Sequence, residues 1–180
     1  MSRGDYIHTY SGKKFYALDP QPSDICIEDI AHALSNLCRF GGHSPSFYSV
    51  AEHSVLVSEL VPEKDRMWGL LHDASEAFLC DIPRPFKGYL NNYKDIEESI
   101  QRVVAVKFKL EWPIPSTVHF IDRNIVAAEA KQLWTTNPEW ANESHWVPLN
   151  IPELYGFKPS VAKHNFLQAY LNLVEEVKVA

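Results

Sequence analysis

The chain of 180 residues is 46% hydrophobic and 22% charged, the balance of an ordinary globular protein that is long enough to bury one core. Its formal charge of −6 and pI near 5.7 do not supply the basic field that broad nucleic-acid binding requires, so we expect a small anionic ligand and no nucleic-acid partner. The three cysteines are far apart and form no CxxC pair, which argues against a disulfide framework and a zinc knuckle.

Residues 1–24 are predicted to form an irregular arm, with a short hairpin around Tyr10 to Tyr16 that turns at Ser11-Gly12. The composition of this arm is unlike a secretion signal, and no later stretch is apolar enough to span a bilayer. We therefore expect a soluble, cytoplasmic protein with no membrane partner. From about residue 25 to 39, apolar side chains recur every three or four positions, which predicts a first helix that ends before Gly41-Gly42.

A second helix is predicted to begin at Ser49, because Ser49 and Glu52 have the spacing of a capping box in which each side chain accepts the other residue's free N–H. His53 falls in the first turn of this helix. Pro62, followed by acidic residues, suits the start of a third helix that runs to about Cys80.

Prolines in the segment 81–87 predict a non-helical loop there, followed by a fourth helix from about Asn92 to Leu110. Ser116 is the predicted N-cap of a fifth helix and Ser160 that of a last one, with a loop rich in Pro and Trp over residues 136–159. The sequence thus predicts a single all-α domain over residues 1–180, a compact bundle of about six helices.

The third predicted helix carries three ionisable residues, His72, Asp73 and Glu76, inside an apolar-periodic stretch. Offsets of three and four residues place them on one side of the helix, where they would converge on a single point. Imidazole and carboxylate together accept divalent ions such as Mn, Fe, Co, Ni or Zn. His53 is the natural third ligand and Asp122 the natural fourth, and two histidines with two aspartates leave positions for water and a phosphate oxygen. The alternative is a surface pair or a satisfied core pair, with Asp122 a solvated charge.

The order His53, then His72-Asp73, then a distant Asp122 resembles the H…HD…D signature of the HD phosphohydrolase superfamily. Three further runs resemble its nucleotide-hydrolysing branch, that of bacterial 5′-deoxynucleotidases and short phage dATP triphosphohydrolases: Arg39-Phe40-Gly41-Gly42-His43, Ser49-Val50-Ala51-Glu52-His53-Ser54, and His72-Asp73-Ala74-Ser75-Glu76 through Asp81-Ile82-Pro83-Arg84-Pro85-Phe86-Lys87. The resemblance implies an HD domain with its core at about 25–130, an arm at 1–24 and a C-terminal loop and helix at 136–180.

By this resemblance, His53, His72, Asp73 and Asp122 bind one divalent transition metal ion. Whether a second ion, Mg or Mn, binds to the substrate phosphates is left open. Glu76 is implied to handle protons at the reacting oxygen. The implied substrate contacts are phosphates for Arg39 and Lys87, the 3′-hydroxyl for Asp81, and the sugar or base for Phe40. His119 stands where the branch has a lysine for the phosphate tail, and it can still donate a hydrogen bond; Arg84 and Arg123 are alternative cations.

Plainer roles stay open for several of these residues. Glu76 is alternatively an anchor for a ligating histidine, Arg39 a cation at a helix C-terminus, Lys87 an exposed loop charge, Asp81 a turn cap, and Phe40 a core residue. Glu129, seven residues after Asp122, lies on the same helical face and either supports the site from behind or is a solvated charge.

The expected function is hydrolysis of dATP to deoxyadenosine and triphosphate, which would shape the dNTP pool in a bacterial or phage-infected cytoplasm. The alternatives are a 5′-deoxynucleotidase acting on dNMPs and a nucleotide-binding regulator without turnover. Cleavage of cyclic dinucleotides or guanosine tetraphosphate is disfavoured by the sugar-reading Asp81. The resemblance also implies a homo-oligomer, a dimer or a hexamer, and the sequence does not decide between them.

Overall fold

The computed structural model describes residues 3–179, with side chains described to Glu176; the first two residues of the predicted arm and Ala180 lie outside it. The predicted all-α class is confirmed, with a two-stranded hairpin as the exception within the described residues. The helices are α1 (Ile27–Asn36), α2 (Val50–Leu60), α3 (Arg66–Leu71), α4 (Glu76–Leu79), α5 (Arg84–Lys87), α6 (Tyr93–Phe108), α7 (Ser116–Leu133) and α8 (Pro159–Val179). The strands are β1 (Ile7–His8) and β2 (Lys14–Phe15).

The predicted N-terminal hairpin is confirmed, and one of its residues, Phe15, is part of the core. Strands β1 and β2 pair in antiparallel fashion, and Gly12 turns the chain with a φ of +83° that favours glycine. The amide and hydroxyl of Ser11 both donate to the Asp29 carboxylate on α1, at 2.6 and 2.8 Å. Phe15 is fully buried and stacks on Phe78 with ring centroids 3.7 Å apart. The arm is therefore packed against the bundle.

Helix α2, which carries His53, is the central element of the bundle. It packs against α1, α3, α7 and α8. Its residues contribute to both hydrophobic clusters of the core: Val50 and Ala51 to the larger one, Leu56 and Val57 to the one shared with α7. Because α2 is covered on several sides, its polar residues must find partners inside the protein.

The start of α2 confirms half of the predicted capping box. The Ser49 hydroxyl accepts the Glu52 amide at 3.1 Å. The Glu52 carboxylate, however, does not return to Ser49; it accepts three successive amides from Tyr155, Gly156 and Phe157 at 3.1, 3.1 and 2.9 Å. Three donors from a distant loop satisfy this buried carboxylate better than one amide would. Glu52 thus ties the C-terminal loop to the helix that carries His53.

The prediction of one continuous third helix is wrong, and the interruption lies at the predicted site. Residues 72–75 form turns between α3 and α4, with Glu76 N bonded to Asp73 O at 2.9 Å and Phe78 N to Ser75 O at 3.0 Å, the tighter i to i+3 spacing. The buried Gln101 side chain on α6 provides partners for backbone groups on both sides of this break. It donates to Leu71 O at 2.6 Å and accepts Ser75 N at 3.1 Å.

Two local predictions about helix ends are corrected. The segment 81–87 is not wholly a loop, since α5 begins at Arg84 with Pro85 in its first turn, where a missing N–H leaves no bond unmade. Ser116 and Ser160 lie inside the first turns of α7 and α8, which begin at Ser116 and Pro159. Of the helices in the described part of the chain, none is long and apolar enough to cross a membrane.

Candidate metal centre and its cleft

Two buried histidines face each other where α2 meets the turn after α3. The Nε2 atoms of His53 and His72 lie 3.3 Å apart. The His72 ring donates its Nδ1–H to the carbonyl oxygen of Gly69 at 2.7 Å, since a carbonyl can only accept. The His53 ring places Nδ1 2.7 Å from Oε1 of Glu129.

Both histidines therefore present an unprotonated Nε2 to the same point when the rings are neutral. Burial raises the pKa of Glu129, but Arg39 and His53 outweigh it and bring that pKa to about 2, so the Glu129 carboxylate is an acceptor and His53 Nδ1 is the donor. Two lone pairs aimed at one point repel each other unless a proton or a cation lies between them. Such bonding at the outer ring nitrogen is how metal-ligating histidines are held in place.

Two aspartates complete the set. Asp122 on α7 places Oδ1 3.3 Å from His53 Nε2 and 3.7 Å from His72 Nε2. Asp73 places Oδ2 3.6 and 3.2 Å from the same two nitrogens. One ligand atom from each of His53, His72 and Asp122 lies within 4.8 Å of the others, a spacing that could hold a metal ion. The structure thus brings together all four predicted ligands.

The electrostatics of the four side chains favour a cation at their centre. Burial lowers the pKa of His72, but the Asp73 and Asp122 carboxylates outweigh it and hold that pKa well above its usual value. Burial also raises the pKa of Asp122, yet both histidines overcome this and hold it well below the ordinary value. Two nitrogens and two carboxylates are a donor set suited to Mn, Fe, Co, Ni or Zn, so these residues fit a divalent ion.

Glu129 is buried behind His53, which favours the supporting role over the solvated one. The side chain is fully buried on α7. Its Oε1 accepts the Tyr48 hydroxyl as well as His53, at 2.7 Å each, and its Oε2 accepts Arg39 Nη2 at 2.8 Å. Arg39, the predicted phosphate contact, is thus joined to a metal ligand through one carboxylate.

Glu76 is buried next to a cation. Lys87 Nζ lies 3.4 Å from Glu76 Oε1 and 3.0 Å from Glu97 Oε1. Glu76 Oε2 is buried and has no hydrogen-bond partner in the part of the chain that the structure describes. Burial, with Asp73 and Asp81 adding to it, raises the pKa of Glu76 well above its ordinary value. A buried carboxyl group with a raised pKa beside a cleft is a candidate for general acid–base catalysis.

A cleft of about 640 Å³ opens beside the metal ligands, a volume in the range of small-molecule sites. Its lining includes three of the four predicted ligands and two of the predicted substrate residues, Lys87 and His119. Two cations that the sequence did not single out, Lys94 and Arg102, line it as well, whereas Arg84 and Arg123 do not. Arg102 lies over the ring of Trp112, 4.9 Å from its centroid.

The remaining predicted substrate residues lie outside the cleft lining. Arg39 is bound to Glu129. Phe40 is half-buried with a φ of +55° and packs edge-on against Trp134, with centroids 5.0 Å apart, so it is partly a packing residue. Asp81 is half-buried, and burial raises its pKa although the charge of Arg39 opposes this. Their substrate roles stay predictions.

Sequence reasoning missed Gln101, Tyr48 and the cations on α6. Gln101 carried a usable signal, since a polar residue between Ile100 and Val104 in an amphipathic helix must find partners when its face is buried. Lys94 and Arg102 carried none, because charged residues on a helix are usually solvated.

No family model matches the chain. It is 45% identical over 128 residues to uncharacterized protein YfdR of Escherichia coli K12, a match that covers 71% of this chain and 72% of that protein. It is 39% identical over 129 residues to an uncharacterized protein of Rhodobacter capsulatus, which covers 66% of this chain and 64% of the relative. The chain belongs to the YfdR family.

Proposed function

We propose that this member of the YfdR family is a metal-dependent phosphohydrolase of the HD type that acts on deoxynucleotides, with dATP as the favoured substrate. One observation carries the proposal: two histidines, each held at Nδ1, and two aspartates converge beside a cleft of nucleotide size. The preference for adenine rests on the resemblance to short phage enzymes alone.

The four converging side chains are the ligands of this proposal. Gly69 O and Glu129 hold the two rings, so His53 and His72 need little rearrangement to bind an ion. When bound, a divalent ion would lower the pKa of a bound water and neutralise phosphate charge.

The cations of the cleft support a substrate with several phosphates. Lys87, Lys94, Arg102 and His119 line the same cavity as the metal ligands. Lys87 and Arg102 are held in place by glutamates, Glu97 at 3.0 Å and Glu98 at 2.6 Å, which orients their charges along the wall. Positioned cations of this kind stabilise the charge that builds on phosphate oxygens in the transition state.

Glu76 is the proposed proton-handling group. Its free Oε2 is buried three residues after Asp73, and its other oxygen contacts Lys87, a proposed phosphate contact. In hydrolysis at the α-phosphorus, water oxygen becomes bonded to phosphorus, the bond from phosphorus to the 5′ oxygen breaks, and a proton reaches that oxygen. Glu76 would take the proton from water and return it to the leaving oxygen. The products of dATP are then deoxyadenosine and triphosphate.

A 5′-deoxynucleotidase is the second candidate, favoured by the existing partners of the cations. Arg39 is bound by Glu129, and Lys87 is shared by Glu76 and Glu97. Less positive charge then remains for a triphosphate tail, and a monophosphate would need fewer contacts. The same reaction at phosphorus would release phosphate.

The test is a substrate panel with purified protein loaded with Mn²⁺ or Co²⁺. All four dNTPs and dNMPs are compared with ATP and AMP, and nucleosides and phosphates are separated by chromatography. We expect triphosphate and deoxyadenosine from dATP, with little turnover of ATP because Asp81 would leave no room for a 2′-hydroxyl. Phosphate from several dNMPs would favour the second candidate instead.

Glu76→Gln separates catalysis from binding. It should reduce turnover by about 10²–10⁴-fold, the usual contribution of a general acid–base group, while the protein still binds the ion. Glu59→Gln is the matched control, because Glu59 is an exposed glutamate on α2 outside the cleft lining. Equal turnover in wild type and Glu76→Gln would remove Glu76 from the chemistry. Nucleotide binding without turnover in the wild type would instead indicate the nucleotide-binding regulator.

A further inference from the structure

One buried carboxylate joins the metal ligands to the predicted anion contact. Glu129 has no exposed surface and accepts three donors: the Tyr48 hydroxyl, His53 Nδ1 and Arg39 Nη2. His53 and Tyr48 share Oε1, and Arg39 takes Oε2. Glu129 also lies on α7, the helix that supplies Asp122.

This arrangement uses more charge than packing requires. A buried carboxylate costs free energy unless it is paired and hydrogen-bonded, so an apolar residue would fill the same space at a lower cost in folding free energy. Its three donors, however, include a predicted metal ligand and a predicted phosphate contact. His53 turns Nε2 toward His72 and the two aspartates because its Nδ1 is held from behind.

The same carboxylate limits where Arg39 can lie. The Arg39 side chain is only 12% exposed and its Nη2 lies 2.8 Å from Glu129, while its Nε is buried without a hydrogen-bond partner among the described residues. The planar guanidinium therefore has its place set relative to His53 by one shared residue. A change at Glu129 would disturb both groups at once.

We propose that Glu129 is a positioning residue that holds the His53 ring with Nε2 toward the metal and sets the Arg39 guanidinium at a defined place beside it. The inference rests on the proposed function, because it assumes that the four ligands bind an ion. It adds the buried hydrogen bond between Glu129 and His53, with Arg39 on the other carboxylate oxygen, as the support on which the metal affinity depends.

The test measures binding of Co²⁺ alone to metal-free protein, by titration and by the visible absorption bands of the bound ion. Glu129→Gln would leave Arg39 unpaired in the interior and is at risk of unfolding. The decisive comparison is therefore between Arg39→Met, in which Glu129 keeps its Tyr48 and His53 donors, and the double variant Arg39→Met/Glu129→Met, which removes both charges of the buried pair. Circular dichroism and thermal midpoints confirm that each variant folds.

Tyr48→Phe is the matched control. It removes one of the two donors from Oε1 of Glu129 but leaves the His53 contact in place. We expect Co²⁺ affinity close to that of the wild type for this variant. The double variant should bind Co²⁺ about 10–100-fold more weakly than Arg39→Met, the usual effect of removing a partner from a ligating histidine, and with shifted absorption bands.

Two results would overturn the inference while leaving the metal site in place. One is equal Co²⁺ affinity and equal bands in Arg39→Met and the double variant. The other is an equal loss in Tyr48→Phe, which would assign the effect to packing around Glu129. Failure of the wild type to bind Co²⁺ is a different outcome: it refutes the proposed metal site itself, and this inference with it.

Discussion

Gln101→Leu should destabilise the protein although it replaces a polar residue by an apolar one of similar size in the core. Gln101 is 3% exposed on α6 and bonds to both sides of the break between α3 and α4. The substitution leaves the Ser75 amide without its acceptor. Leu71 O fares better, because it also accepts the Ala74 amide at 3.0 Å. One orphaned buried donor costs about 1–3 kcal/mol, and this is the expected loss in the free energy of unfolding.

The assay is urea denaturation followed by circular dichroism, with the midpoint compared at an unchanged slope. Gln168→Leu is the matched control: the same replacement on α8, where the side chain is exposed and bonds Asn172, should change stability by less than about 0.5 kcal/mol. A Gln101→Leu protein as stable as the wild type would refute the view that Gln101 holds the turn at His72 and Asp73. Co²⁺ affinity should fall together with stability.

Three further predictions follow from single contacts. Gly69→Ala should lower the free energy of unfolding by about 1–3 kcal/mol in thermal or urea denaturation, since its Cβ would lie 2.7 Å from Ser58 Cα, whereas the Cβ of Gly88→Ala would meet no described atom within 4 Å and the change should be nearly neutral. Glu52→Ala should speed amide hydrogen exchange at residues 155–157, whose three N–H groups lose their acceptor; equal exchange would contradict this, and Glu59→Ala is the exposed control. Lys94→Ala should raise KM for dATP more than for dAMP, and equal changes would place Lys94 away from the phosphate tail.

The helical class could be predicted because it depends on local patterns, and the four converging side chains could be predicted because their order along the chain resembles the H…HD…D signature. Apolar periodicity predicted α1, and the Ser49 cap predicted the start of α2. The residues that the H…HD…D pattern picks out do meet in space. Only their types and order along the chain were needed for that prediction.

The parts that failed depend on distant partners. Glu52 has the spacing of a capping box, but its carboxylate instead accepts three backbone amides from a loop about a hundred residues away along the chain. The break after α3 is satisfied by Gln101, which no local pattern around His72 reveals. The α6 cations of the cleft were missed for the same reason: only the packing of helices shows which face of α6 a cavity touches.

The metal content of the purified protein is the strongest test of the proposed metal site. Wild-type protein is loaded with Mn²⁺ or Co²⁺, dialysed and analysed by mass spectrometry of the metal, beside His72→Ala, Asp122→Asn and the cleft control His119→Ala. We predict one ion per chain in the wild type and in His119→Ala, and loss of the ion in the other two variants. A wild type that retains no ion, or a His72→Ala protein that retains it fully, would show that these residues are not the ligands of a metal ion.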